Sequence, residues 1–108
     1  DMLLFAKGGD NKVVKPFTIA ELVSEFSPMV EAALKNNQID YHLEVERKET
    51  QLLGNANAVA SALSNLVMNA IQIAGKQSQV DVFFRPVNNE LKISVQDSGP
   101  GVPKELQN

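Results

Sequence analysis

The chain has 108 residues, of which 44% are hydrophobic and 21% charged, and its formal net charge is -3. This composition is typical of one folded domain with a single core and excludes an intrinsically disordered chain. Ten Lys and Arg against thirteen Asp and Glu argue against a nucleic-acid partner, because phosphate neutralisation needs a basic surface. The absence of Cys excludes disulfides and thiolate metal sites.

The longest uncharged stretch, 55–75, has the length of a membrane-spanning helix but contains several Asn and Ser residues and a Gln. These side chains are costly in hydrocarbon, so no membrane contact is expected. The N-terminus lacks the basic and then apolar pattern of a signal peptide. Together with the absence of Cys, this favours a reducing compartment.

The first predicted element is the end of an amphipathic helix, DMLLFAK at 1–7, which the glycines at 8–9 would stop. A short strand is expected at Val13 and Val14, before Pro16.

The first complete helix is predicted from Thr18 to about Asn36. Thr18 and Glu21 have the spacing of a capping box. Apolar residues then recur at intervals of three and four, at Leu22, Phe26, Met29, Val30, Ala33 and Leu34. Pro28 interrupts this pattern and should kink or divide the helix.

A strand with one solvated face is predicted over 39–46, because apolar and polar residues alternate strictly. Ile39, Tyr41, Leu43 and Val45 form one side, and Asp40, His42, Glu44 and Glu46 the other. His42 is the only histidine of the chain and is expected to be a surface residue on the solvated side.

The longest helix is predicted from Asn55, as cap, to Ala74, with Gly75 as its stop. Its core face would carry Val59, Leu63, Leu66, Val67, Ala70, Ile71 and Ala74. Two alternating strands follow, one around 80–84 and one around 91–95, joined by a hairpin at 87–90. The resulting fold class is α+β: a two-layer α/β sandwich with a mixed sheet and helices on one face.

Two polar sites stand out. Asn65 and Asn69 are four residues apart and share a face of the long helix, with Gln72 three residues further on. A carboxamide oxygen can coordinate a hard cation such as Mg²⁺ without adding a full negative charge. The alternative interpretation is a pair of poor helix formers packed against a neighbouring loop.

The second site is Asp97, which ends the last predicted strand and precedes Gly99 and Gly101. A carboxylate at this point can accept a hydrogen bond from the exocyclic amine of a base. Taken alone, Asp-x-Gly-x-Gly is also common in surface turns.

Together these stretches resemble a known family. NLVMNAIQ at 65–72 resembles the N box, and DSGPG at 97–101 the G1 box, of the ATP-binding catalytic domain of sensor histidine kinases, which has a Bergerat-type fold. The MLLFAKGG junction and the NAIQ form are most similar to the nitrogen-regulator type and its flagellar-regulatory branch. The resemblance divides the chain into residues 1–12, the end of the dimerisation and phosphoacceptor helix with a linker, and residues 13–108, the N-terminal part of the catalytic domain, truncated after the G1 box.

The resemblance also implies a role for each site residue. Asn69 would hold the Mg²⁺ that bridges the phosphates of ATP, and Asn65 would be its catalytic neighbour at the phosphates. Asp97 would bind the adenine amine, while Gly99 and Gly101 would form the hinge of a mobile lid.

Two positions depart from the family pattern. Ile73 stands where an aromatic residue often lies near the base, and Gln72 stands where a Lys often reaches the phosphates. The second glycine-rich box is absent from the chain. The resemblance therefore predicts a sheet that is incomplete at the C-terminus, weak nucleotide binding by this chain alone, and a tendency to self-associate through the exposed edge.

The parent protein implied by the resemblance is a cytoplasmic, homodimeric kinase. It would transfer the γ-phosphoryl group of ATP to its own His, and then to an Asp on the receiver domain of a response regulator. Its partners would be that receiver domain and its own dimerisation and phosphoacceptor domain. One alternative is a hydrolase of the gyrase and chaperone type, which has a water-activating Glu where this chain has Asn65. The other is a non-catalytic interaction module that retains the fold.

Overall fold

The computed structural model of the chain describes residues 2–6, 15–88 and 90–98. Its elements are β1 (Met2–Ala6), β2 (Lys15–Thr18), α1 (Ile19–Asn36), β3 (Asp40–Val45), β4 (Gln51–Gly54), α2 (Ala56–Ala74), β5 (Gln79–Val87) and β6 (Glu90–Ser98). The main sheet has the order β1-β6-β5-β3, and β2 pairs with β4 separately. Because β3 and β5 are parallel whereas the other neighbours are antiparallel, the main sheet is mixed, as predicted.

The two helices pack against each other and cover one face of the main sheet. α1 contacts β3, and α2 contacts β5 and β6. Alternate residues of β5 and β6 supply the sheet's part of the core: Val80, Val82, Phe84, Leu91, Ile93 and Val95. The rings of Phe26 and Phe84 join the two layers, with centroids 6.3 Å apart. The intervening strand residues form the outer face, which gives the two-layer α/β sandwich.

Local hydrogen bonds explain where the helices begin and end. The Glu21 N–H donates to the Thr18 hydroxyl at 3.1 Å, and the Thr18 N–H donates to the Glu21 carboxylate at 2.8 Å, which completes the predicted capping box. The Ala58 N–H donates to the Asn55 side-chain oxygen at 3.1 Å. Gly75 ends α2 at φ +87°, a conformation that L side chains rarely adopt. The predicted bounds of both helices are therefore confirmed.

Pro28 does not divide α1, which runs as one helix from Ile19 to Asn36. The predicted division is wrong. Phe26 and Val30 on either side of Pro28 are buried in the core. Tertiary packing on both sides holds the helical conformation even though Pro28 has no N–H to donate.

The helix predicted for DMLLFAK is also wrong over Met2–Ala6, which forms strand β1 and pairs antiparallel with β6, Met2 opposite Val95 and Ala6 opposite Leu91. A short apolar run carries no clear period, and so few residues make a marginal helix. The open edge of β6 offers backbone partners instead. The assignment of residues 1–12 to a dimerisation and phosphoacceptor domain remains a prediction.

Several expected features lie outside the described residues. They are the Gly8 and Gly9 stop, the short strand at Val13 and Val14, and the Gly99 and Gly101 turn. The strand that the structure describes directly after Val14 is β2, Lys15–Thr18.

Candidate functional site

Three amide side chains line the solvent side of α2. Asn65, Asn69 and Gln72 are all exposed. None of them hydrogen-bonds another residue in the part of the chain that the structure describes. By contrast, Asn37 donates to the Ala33 carbonyl at 2.7 Å and Asn55 caps α2. The α2 amides are therefore solvent-exposed and have no side-chain hydrogen-bond partner among the described residues.

Asp97 lies on the face of the sheet that the helices cover. It continues the alternation of the buried Leu91, Ile93 and Val95, and it is directly opposite the buried Val80 of β5. Its carboxylate is partly exposed and makes no hydrogen bond or ion pair within residues 15–88 and 90–98. The last strand thus ends in an unpaired carboxylate at the border of the core.

The topology brings these two sites to the same end of the sandwich. Only residues 75–78 connect α2 to β5, so the C-terminal end of α2 lies at the start of β5. The start of β5 pairs with the end of β6, where Val80 faces Asp97. Asn69 and Ile73 belong to the last two turns of α2, at that end, and Asn65 lies one turn earlier. Whether Asn69 and Asp97 line one cavity remains a prediction.

Exposed apolar side chains flank the amides. Ile73 is 75% exposed and Met68 is 38% exposed. Ligand pockets combine apolar lining with a few polar groups, so both side chains are suited to the edge of a binding site. Ile73 was predicted from the sequence to border the site, whereas Met68 was not. The sequence does contain a signal for the exposure of Met68. Like Ile73, it falls outside the apolar spacing of the core face of α2.

His42 lies on the outer face of the sheet, as predicted. Its Nε2 is 3.4 Å from a Glu44 carboxylate oxygen, and both side chains are well exposed. The ring of Phe83 meets the imidazole edge-on at 6.4 Å. The outward position of Phe83 was not predicted, although one of two adjacent phenylalanines in a strand must lie on the outer face.

Similarity to a known protein family identifies the domain that contains these residues. Residues 54–108, which include α2, β5 and β6, match the model of the histidine kinase-, DNA gyrase B- and HSP90-like ATPases. The chain belongs to this ATPase family. Within it, the chain is part of a sensor histidine kinase catalytic domain, as its similarity to sensor kinases and to a solved kinase catalytic domain indicates.

Two curated kinases are similar over almost the whole chain. Sporulation kinase A of Bacillus subtilis is 24% identical over 100% of this chain and 18% of its own length. The sensor protein kinase FleS of Pseudomonas aeruginosa is 29% identical over 94% of this chain and 25% of its own length. The chain thus spans a quarter or less of these two kinases.

The histidine kinase ThkA provides the structural comparison. Its catalytic domain, in a nucleotide-free form, superposes with a TM-score of 0.73 and 26% identity over 87% of this chain and 65% of that chain. A ThkA structure in complex with the response regulator protein TrrA superposes with a TM-score of 0.71 and 25% identity, over 88% of this chain and 28% of that chain. The sandwich of this sensor kinase domain is thus the fold of a histidine kinase catalytic domain.

Among the described residues of the kinase domain, neither helix combines the length and apolar character needed to cross a bilayer.

Proposed function

We propose that this chain forms the adenine and metal half of a Mg-ATP site in a sensor histidine kinase. Asp97 accepts a hydrogen bond from the adenine amine, and Asn69 provides an amide oxygen to Mg²⁺. Asn65 lies beside the phosphates, and Ile73 borders the base. Gly99 and Gly101 act as the hinge of the lid that closes over the nucleotide.

The observation that carries this proposal is the position of Asp97. It is the penultimate residue of β6, on the helix-covered face and at the same end of the sandwich as the last turns of α2, and its carboxylate has no described partner. An unpaired carboxylate at the border of an apolar core is costly unless a ligand or water satisfies it. The exocyclic amine of adenine is a donor of the right kind.

The donor set of α2 fits Mg²⁺ when the nucleotide is present. In the described residues no group of three or more His, Asp and Glu is arranged to hold a metal ion. An amide oxygen from Asn69, phosphate oxygens and waters would complete the octahedral oxygen shell that Mg²⁺ prefers. When bound, Mg²⁺ supplies charge neutralisation at the phosphates.

The residue at 65 favours phosphoryl transfer over hydrolysis. An amide has no basic oxygen that can take a proton from water, so Asn65 cannot replace the general base of a hydrolase. Phosphoryl transfer is promoted mainly by positioning and electrostatic stabilisation, which Asn65 and Asn69 can provide. The parent protein would accordingly pass the γ-phosphoryl group to its own His.

The later partner is the Asp of a response-regulator receiver domain. The ThkA complex with the response regulator TrrA supports this partner class by similarity. The parent would act on the cytoplasmic side as a homodimer, through its own dimerisation and phosphoacceptor domain.

Calorimetry of Mg-ADP binding tests the proposal on this catalytic domain extended through its second glycine-rich segment. Asp97→Asn should weaken binding by about tenfold or more, because an amide adds a donor where a base-specific acceptor is needed. Asn69→Ala should abolish the Mg²⁺ dependence of binding. The matched controls are Asp81→Asn, on the outer face of β5, and Asn57→Ala, exposed in the first turn of α2. Equal affinity of Asp97→Asn and Asp81→Asn would contradict the adenine contact.

The full-length kinase separates the alternatives. Incubation with labelled ATP should give stoichiometric phosphohistidine with little release of phosphate. Steady phosphate release without phosphohistidine would establish the hydrolase. Absence of Mg-ADP binding by the extended domain would establish the non-catalytic module.

A further inference from the structure

Strand β3 forms one edge of the main sheet, and its backbone groups can be assigned to the two sides of the strand. The N–H of Asp40 donates to the Ser78 carbonyl at 2.8 Å, and the N–H of Glu46 donates to the Phe84 carbonyl at 2.9 Å. Backbone direction alternates along a strand, so the even-numbered residues bond to β5. The N–H and C=O groups of Tyr41, Leu43 and Val45 therefore point to the open side, where no described strand pairs with them.

The hydrophobic core is incompletely covered beside this edge. Tyr41, Leu43 and Val45 pack against the core but remain partly exposed, whereas the neighbouring row of β5 residues is buried. The Tyr41 hydroxyl is inaccessible to solvent and has no hydrogen-bond partner among the described residues. Buried polar groups are nearly always paired in folded proteins. A further strand along β3 would cover the partly exposed apolar side chains of this edge.

The outer face beside the edge is acidic. The side chains of Asp40 and Glu44 lie on the outer face of β3. Asp81 lies on the same face of β5, directly opposite His42. No Lys or Arg occurs in residues 38–46 or 79–84, and Arg85 is 4.0 Å from Glu46, just beyond the strand end. A segment paired here would be attracted if it carried Lys or Arg at alternate positions.

We propose that the β3 edge binds a basic, extended peptide segment of a partner protein by strand addition. Alternate Lys or Arg side chains of that segment lie beside Asp40 and Glu44, and the intervening apolar side chains lie beside Tyr41, Leu43 and Val45. Hydrogen bonds from the peptide main chain to the N–H and C=O groups on the open side of β3 provide affinity. The alternating acidic and apolar side chains of β3 provide specificity. This site is distinct from the proposed nucleotide site, because β5 lies between the β3 edge and β6, which carries Asp97.

Amide hydrogen exchange of the 108-residue chain, followed by NMR, tests the proposal with a blocked eight-residue peptide of alternating Lys and Val. In the free chain the amides of Tyr41, Leu43 and Val45 should exchange faster than those of His42 and Glu44. Saturating peptide should slow exchange at the three outward amides by about tenfold or more, since each gains a hydrogen bond. A peptide of alternating Glu and Val should have no effect.

Two variants complete the experiment. Asp40→Lys combined with Glu44→Lys should weaken binding of the Lys-Val peptide and create binding of the Glu-Val peptide. Leu43→Pro removes an outward N–H but no bond to β5, so it should lose peptide binding while remaining folded. If Leu43→Pro unfolds, the proposal is tested by the charge-reversal variant alone, through its preference between the two peptides. Unchanged exchange at the outward amides, equal binding of both peptides, or protection on β6 instead of β3 would each overturn the proposal.

Discussion

Tyr41 combines two unusual properties at the scale of one residue. Its hydroxyl is buried without a hydrogen-bond partner in the part of the chain that the structure describes, and burial raises the pKa of the phenol from 10.0 to about 12. The unfolded chain ionises its phenol at the ordinary value, whereas the folded chain keeps it neutral. The stability linked to this group is therefore fully present below pH 10 and is lost as the pH rises to about 12.

Tyr41→Phe should remove this pH dependence. The variant keeps the ring and deletes an unpaired buried hydroxyl, so it should be as stable as the parent or more stable by about 1 kcal/mol near neutral pH. Urea unfolding at pH 9 and at pH 11.5 measures the effect. The parent should lose more stability than the variant between these values, since Tyr41 is the only tyrosine of the chain. A parallel loss in both proteins would mean that the phenol ionises freely in the folded state.

The residue-level features of the candidate site were only partly accessible from the sequence. The spacing of Asn65 and Asn69 fixes their common helix face, and alternation from Leu91 fixes the face of Asp97. Whether a polar side chain finds an internal partner depends on neighbours that are distant in the chain. For that reason the unpaired Tyr41 hydroxyl carries no sequence signal.

At the scale of elements, the capping box of α1 has a measurable contribution. Thr18→Ala removes the acceptor of the Glu21 N–H and should cost about 1 kcal/mol of unfolding free energy. Ser24→Ala is the matched control, because Ser24 is exposed inside the same helix and makes no described hydrogen bond. Its effect should lie within about 0.5 kcal/mol. Equal losses in the two variants, measured by chemical denaturation, would show that the cap adds nothing.

The long elements were predictable because each carries several concordant signals. α2 has a cap at Asn55, a regular apolar period and a stop at Gly75. The short strand β4, Gln51–Gly54, was missed because its four residues have no period to detect. Its partner β2 lies on the other side of α1 in the chain. Such elements form through a pairing partner, and a single local pattern does not reveal that partner.

At the scale of the whole molecule, the main sheet has one face buried under the helices and one solvated face. The helices cover the inward side of β5 and β6, and the core is continuous across the two layers. The outward side carries charged residues with an occasional aromatic ring. Because of this asymmetry, the loss of stability caused by a mutation should depend more on the face of the sheet than on the residue type. Strand β5 allows a test, since the consecutive Phe83 and Phe84 lie on opposite faces.

Phe84→Ala and Phe83→Ala provide that comparison. Phe84 is 1% exposed and packs against Phe26 of α1, so its truncation should leave a cavity between the layers and cost about 3 to 5 kcal/mol. Phe83 is partly exposed and meets only the edge of His42 among described rings, so its truncation should cost about 1 kcal/mol or less. Since a domain of this kind is stable by about 5 to 15 kcal/mol, the first variant should show a strongly lowered urea midpoint and the second an almost unchanged one. Similar midpoints for the two variants would contradict the assignment of the buried and solvated faces, on which both proposed sites depend.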